Sequence, residues 1–174
     1  MPASITDSID VTLRDGRRVT IRPIRRDDVA RTAAFIDALS FESKHALFLG
    51  GIVRLSDAAL ERLCDPRDSR DMAYVATASG PDGERQIGVC RYAGADSAEG
   101  AEISVAVSDE WQHQGLGKLL LLRLVEHARA HGVRRLYSMD AASNQGIRRL
   151  ARGVGFSERP DADDIHQVIY TLQP

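Results

Sequence analysis

The sequence has few of the features that mark secreted, membrane-spanning or nucleic-acid-binding proteins. Its two cysteines, Cys64 and Cys90, form neither a disulfide framework nor a metal-ligand pair. The densest apolar run, 119–122, ends at Arg123 and is far shorter than the roughly 20 residues of a transmembrane helix. A formal net charge of -2 leaves no basic surplus for nucleic acid or anionic lipid. We therefore expect no nucleic-acid or membrane partner, and a cytoplasmic location.

The composition is that of an ordinary packed domain. The chain has 174 residues, of which 43% are hydrophobic and 28% charged. The N-terminal residues 1–4 lack the basic-then-apolar pattern of a signal peptide. Asp15-Gly16 separates two short alternating runs and predicts a hairpin turn. We predict a single domain over 1–174, with residues 1–18 as an N-terminal extension and hairpin.

Helical and strand patterns alternate along the chain. In the first half they predict helices at about 28–39 and 56–64, an irregular segment at 40–51, and paired strands at 72–78 and 86–93. The second half adds a cleanly alternating strand at 102–107, a strongly apolar helix from Gly117, and a strand at 136–140. A helix capped by Ser143 or Asn144 and a final strand at about 165–172 follow. This order predicts an α+β fold with a mainly antiparallel mixed sheet and about four helices.

The glycine-spaced turn after strand 102–107 is a candidate phosphate loop, because it places backbone N–H groups at a helix N-terminus. It is not a Walker A loop, since position 112 is glutamine and Leu119 replaces the Ser or Thr that would bind Mg²⁺. A dinucleotide fingerprint needs a third glycine where Leu120 stands. Both of those phosphate sites are therefore excluded.

The remaining pattern, Gln112-x-x-Gly115-x-Gly117, resembles the acyl-CoA pyrophosphate loop of the GNAT superfamily of N-acetyltransferases. The preceding strand, the long following helix, the next strand, the helix that begins near Asn144 and the Gly155-Phe156 pair resemble that superfamily in the same order. The resemblance covers about 19–172. It implies a GNAT-like acyl-CoA N-acyltransferase fold, acetyl-CoA as the acyl-donor cosubstrate, and no metal.

The resemblance also implies the residues that bind the donor. The backbone of Val105, Ala106 and Val107 would pair with the pantetheine arm like an added strand. Asn144 would contact the pantetheine or pyrophosphate region, or would serve only as a helix cap. The diphosphate loop would comprise Gln112, His113, Gln114, Gly115, Leu116, Gly117 and Lys118.

Glu102 is the candidate general base. An amine with the pKa of lysine, about 10.4, costs roughly 4–5 kcal/mol to deprotonate at pH 7, and a positioned base lowers that cost. Glu102 shares a strand face with the small residues Ser104 and Ala106. A solvated carboxylate at a strand end is the simpler interpretation, and Glu99 is the alternate base.

The sequence departs from the superfamily at one position. Ala151 stands where many relatives have the tyrosine that protonates the leaving thiolate, so the general acid is unassigned. Tyr137 is a candidate substitute, and water is the other source of the proton. The segment 40–50 resembles bacterial protein-lysine acetyltransferases. This resemblance implies a protein lysine as the acceptor, and a small-molecule amine is the alternative acceptor that the sequence leaves open. The alternative function is a non-catalytic acyl-CoA-binding regulatory module. A homodimer is compatible with the sequence, which fixes neither the oligomeric state nor the acyl-chain preference.

Overall fold

The computed structural model describes residues 8–48, 55–66 and 70–174. Its strands are β1 (Ile9–Thr12), β2 (Arg18–Pro23), β3 (Met72–Gly80), β4 (Gly83–Ala93), β5 (Ala101–Val107), β6 (Leu136–Ala141), β7 (Ser157–Pro160) and β8 (Gln167–Leu172). Its helices are α1 (Val29–Ala38), α2 (Phe41–Phe48), α3 (Asp57–Leu63), α4 (Leu116–Ala130) and α5 (Gln145–Val154).

All eight strands form one mixed sheet in the order β1-β2-β3-β4-β5-β6-β8-β7. Every neighbouring pair is antiparallel except β5 and β6. The β5–α4–β6 crossover makes this one pair parallel, because a parallel connection needs a long return path. The α+β class and the mainly antiparallel mixed sheet predicted from the sequence are confirmed.

Two hydrophobic clusters cover the two faces of this sheet. The first includes Leu120 and Leu124 of α4 together with Ile103 of β5. The second includes Phe35 of α1 together with Ala106 of β5. The alternation predicted for β5 therefore places successive residues on opposite sides of the sheet, since side chains alternate along a strand.

The structure adds detail to the predicted elements and differs from one of them. The part of the chain that the structure describes has five α-helices rather than about four, because α2 occupies the segment that was expected to be irregular. The hairpin predicted around Asp15-Gly16 is present, since β1 and β2 pair with each other; in addition β2 pairs with β3, and Leu13 and Val19 are buried in the core. The short strand β7 was not predicted. Residues 1–7, and the Gly50-Gly51 stop expected after α2, lie outside the described residues.

Helix α4 buries one of its histidines. His127 is buried, its Nδ1 lies 3.0 Å from the Tyr92 hydroxyl, and its ring stacks on His131 at 3.9 Å between centroids. Burial lowers the pKa of His127 to about 4.

Among the described residues, no three His, Cys, Asp or Glu side chains are grouped as a metal site would require. Within the same residues, no helix has the length and apolar character to cross a bilayer.

Candidate functional site

A fork in the sheet is the central feature of the site. β5 and β6 pair only at Ala101–Leu136 and Glu102–Tyr137, although both strands continue for several residues. Beyond Glu102, β5 has no strand partner on that side within the described residues. Its backbone N–H and C=O groups there can pair with an extended ligand, as a free sheet edge does.

The closed end of the fork depends on a glycine. Gly100 has a φ of +98°, and a Cβ at that position would lie 2.6 Å from the carbonyl oxygen of Arg135. That carbonyl accepts a hydrogen bond of 2.8 Å from the N–H of Ala101. Gly100 thus permits the close approach of the two chains that fixes where β5 begins.

Glu102 lies at this closed end, on the sheet face opposite α4. It is half-buried and stands directly across from Tyr137 of β6. Burial raises the pKa of Tyr137, and the negative charges of Glu102 and Glu99 raise it further. Glu99 is exposed in the turn before Gly100. Of the two acids proposed as base, the structure places Glu102 on the strand and Glu99 outside it.

The loop that connects β5 to α4 exposes a row of backbone donors. His113 and Gly115 have left-handed φ values of 61° and 90°. The backbone N–H groups of residues 113–118 donate no hydrogen bond within the described part of the chain, and Gly115 caps α4 without a side-chain hydrogen bond. Alternation of left-handed residues with ordinary ones makes a concave nest of N–H groups, which binds anions. The helix N-terminus adds partial positive charge.

A groove of about 610 Å³ joins this loop to the fork. The proposed donor-binding residues Val105, Ala106, Val107, Gln112, His113, Gly115, Leu116, Gly117, Lys118 and Asn144 all line it. Gln114 is absent from that lining, and its carbonyl instead accepts a hydrogen bond from the N–H of Arg14. The structure thus brings all of the predicted donor-binding residues except Gln114 to one surface.

Two cations of the groove were missed in the sequence. Arg14, in the turn after β1, approaches the loop: its Nε lies 3.7 Å from where a Cβ of Gly115 would be. Arg149 of α5 lines the groove from the other side, and Lys118 lies in the first turn of α4. No local sequence pattern marks Arg14 or Arg149 as a groove residue. Arg14 reaches the groove because the hairpin that contains it joins the sheet, and Arg149 reaches it because α5 packs beside the groove.

The side chain of Gln112 mainly holds neighbouring segments in place through hydrogen bonds. Its Nε2 donates to the Val107 carbonyl at 3.1 Å, to Ser43 Oγ at 3.2 Å and to Asp109 Oδ1 at 3.3 Å. Asp109 also accepts from the N–H and Oγ of Ser40 and from Ser43 Oγ. Burial alone would raise the pKa of Asp109, but these hydrogen bonds together hold it below its usual value. The network fixes the start of α2 against the end of β5.

Asn144 caps α5 and also lines the groove. Its Oδ1 accepts from the Ile147 N–H at 3.1 Å, so it caps α5, and its Nδ2 donates to Asp140 Oδ1 at 3.1 Å. It also lines the groove. The side chain is thus held rigid by two partners where it faces the groove.

Comparison with known proteins agrees with this geometry. The model of the acetyltransferase (GNAT) family matches residues 43–156. Acetyltransferase PA5475 of Pseudomonas aeruginosa is 40% identical over 162 residues, which cover 92% of this chain and 87% of that protein. The GNAT domain of S. lividans PAT has a TM-score of 0.85 and 27% identity, over 100% of this chain and 99% of that one. yncA from Salmonella typhimurium, solved with its cofactor acetyl-CoA, shares the fold, with a TM-score of 0.68 and 21% identity over 89% of this chain and 93% of that one.

Proposed function

Because this chain belongs to the acetyltransferase (GNAT) family, we propose that it is an acetyl-CoA-dependent N-acetyltransferase that acts on a primary amine. The observation that carries this proposal is the continuity of one surface. β5 carries the Glu102 carboxylate at the closed end of the fork and ends at Val107, five residues and about 17 Å further on, where the groove continues to the N–H groups of residues 113–118. A long donor with a phosphate end and a reactive end fits such a surface.

The two ends of β5 have different tasks. The N–H groups of 113–118, with Arg14, Lys118 and Arg149 nearby, bind the diphosphate of the donor. The open edge of β5 holds the extended arm, and one N–H of that edge polarises the thioester carbonyl. Glu102 takes a proton from the acceptor amine, directly or through water. The amine nitrogen then attacks the carbonyl carbon and the carbon–sulfur bond breaks.

The acceptor approaches from the face that carries Glu102. That face is the one covered by α1 and α3, and α2 lies beside β5 with Ser43 in the wall of the groove. The donor-binding helix α4 lies on the other face. Donor and acceptor thus enter from opposite sides of the sheet, which favours direct transfer over a covalent enzyme intermediate. A lysine of a protein and the amine of a small metabolite are both compatible with this arrangement.

The test uses the purified protein with acetyl-CoA, a panel of amines and lysine-containing peptides, and measures released thiol. We expect acetyl-CoA to bind and thiol to be released only when a suitable amine is present. Binding without transfer to any amine would instead support the regulatory module. If acetyl-CoA does not bind at all, the proposed function is wrong.

Arg149 provides a test of the donor groove. Its neutralisation in Arg149→Gln should weaken CoA binding about fivefold, or roughly 1 kcal/mol, because one charge near the phosphates is lost. Isothermal titration at two salt concentrations measures this, and the variant should show the weaker salt dependence. Arg152→Gln is the matched control, since Arg152 lies on the same helix but pairs with Glu158 and does not line the groove. Equal losses in both variants would contradict this placement of the donor.

A further inference from the structure

Arg91 is a half-buried arginine in the interior of the sheet. It lies on β4, opposite Ala73 of β3 on one side and Ser104 of β5 on the other. Its guanidinium donates no hydrogen bond to, and forms no ion pair with, any residue that the structure describes. A charged group that is withdrawn from water costs free energy unless it is paired. The position of Arg91 is therefore that of a cation whose anionic partner comes from a ligand.

The titratable groups near Arg91 do not neutralise it. Burial lowers the pKa of Arg91, and the negative charge of Asp71 opposes this effect. Asp71 Oδ1 accepts its hydrogen bond of 3.0 Å from the N–H of Gly94 instead. Cys64 is a buried thiol whose pKa is raised by burial, so it carries no charge at neutral pH. Because a guanidinium has an ordinary pKa above about 12, Arg91 keeps its positive charge.

Arg91 shares a sheet face with the proposed base. Residues directly opposite each other on paired strands point to the same side, so Arg91 and Ser104 lie on the face that carries Glu102 and Ala93. Arg91 is diagonal to Glu102, and Cα atoms at such positions are about 7–8 Å apart. The neighbours of Arg91 on this face, Ala73, Ala93 and Ser104, all have small side chains. They leave room for a small molecule between the guanidinium and the carboxylate.

The same position borders the path of the donor. Ser104 lies on the open edge of β5, two residues beyond Glu102, and the next residue, Val105, lines the donor groove. Arg91 is one strand further from that edge, about 5 Å away. An arginine side chain is longer than this spacing. Its guanidinium can therefore reach an acceptor that lies over Ser104, beside the thioester.

We propose that Arg91 binds a carboxylate group of the acceptor, and that the acceptor is a free amino acid. This proposal rests on the proposed function and names its substrate class. The planar guanidinium forms two parallel hydrogen bonds with the carboxylate, which fix the orientation of the molecule. The amine of the same molecule then lies beside Glu102. A lysine within a protein has no free carboxylate so close to an amine, so Arg91 favours the small acceptor over the protein.

The test compares amino acids with the matching amines that lack the carboxylate, such as leucine with isopentylamine and methionine with 3-(methylthio)propylamine. The enzyme is saturated with acetyl-CoA, and released thiol gives kcat/KM for each acceptor. The two members of a pair differ in intrinsic basicity, so the quantity compared between variants is the ratio of acid to amine. Arg91→Gln should lower this ratio at least about 30-fold, because a desolvated charge pair is lost. A purely structural defect would lower both rates alike.

Two further variants control the measurement. Arg91→Lys keeps the charge but not the two-pronged geometry, so its ratio should be intermediate; this variant carries the test if Arg91→Gln does not fold. Arg70→Gln should keep the wild-type ratio, since Arg70 is exposed and pairs with Asp96.

The possible outcomes separate this proposal from the proposed function. An unchanged ratio in Arg91→Gln, or thiol release only with simple amines or lysine-containing peptides, would show that Arg91 does not select a carboxylate, while the acetyltransferase activity stands. Absence of thiol release with every acceptor would overturn both.

Discussion

Replacement of Glu102 by glutamine is expected to lower kcat/KM by about 10²–10³-fold at pH 7 and to leave acetyl-CoA affinity unchanged, because a general base of this kind contributes about 10²–10⁴-fold. The amide keeps the size and most of the hydrogen-bonding geometry of the carboxylate. It cannot accept the proton of the amine. Steady-state rates with a fixed amine and isothermal titration with CoA measure the two effects separately.

The pH dependence distinguishes loss of the base from general damage. An amine with a pKa of about 10.4 is roughly 0.04% neutral at pH 7, and that fraction rises about tenfold for each pH unit. With Glu102→Gln the rate depends on the fraction of amine that is already neutral. The defect should therefore shrink as the pH rises. A defect of constant size would indicate a structural role.

Glu99→Gln is the matched control. Glu99 is exposed three residues before Glu102, and both charges raise the pKa of Tyr137. Either variant should lower the pKa of Tyr137, as followed by the absorbance of the phenolate, and this shows that the altered residue lies where the structure places it. Only Glu102→Gln should lose activity. Loss in Glu99→Gln alone would assign the base to Glu99.

The parts of the site that could be predicted from the sequence are encoded locally. The alternation of β5 fixes which residues share the face of Glu102, and Gly115 and Gly117 mark a loop that precedes a helix. The structure differs by one residue at the start of α4, and it ends α5 at Val154, with Gly155 as the C-cap. These signals depend on residues within a few positions of one another.

The parts that could not be predicted depend on distant residues. α2 carries no strong helical pattern, and its start is held by Asp109, which lies 69 residues from Ser40 and 66 from Ser43. His127 has the spacing of an exposed polar stripe, but the tyrosine hydroxyl of residue 92 partners it in the core. Arg14 reaches the loop between β5 and α4 only because β1 and β2 join the sheet. In each of these cases the tertiary contacts, and not the local sequence pattern, determine the structure.

The residue expected to matter most for stability is Asp28, which immediately precedes α1. Its carboxylate is 1% exposed and accepts two hydrogen bonds from Arg22, of 2.7 and 2.8 Å. It accepts further hydrogen bonds from Arg31 and from the N–H of Arg25. This cluster joins β2 to the start of α1, which packs on the face of the sheet that carries Glu102 and Ala106.

Asp28→Ala should therefore lower the free energy of unfolding by about 3–5 kcal/mol, because it leaves the Arg22 guanidinium buried without its main partner. In a chain of this size that corresponds to a fall in Tm of about 6–20 °C. Arg26→Ala is the control: it breaks the Arg26–Asp65 ion pair, in which Arg26 is 76% exposed, and should cost less than about 1 kcal/mol. Urea unfolding of both variants measures the difference.

The acid sensitivity of the fold gives an independent check on Asp28. Burial opposes its ionisation, but the hydrogen bonds from Arg22 and Arg25 and the charges of Arg22 and Arg31 hold its pKa below the usual value. A carboxyl group with a lowered pKa in the folded state stabilises the fold above its unfolded pKa of about 3.9, and this stabilisation is lost as the pH falls through the folded value. The wild type should thus lose stability below about pH 4 more steeply than Asp28→Ala. Parallel curves for the two proteins would mean that other carboxylates control acid unfolding, and that the Arg22–Asp28 pair contributes little to the fold.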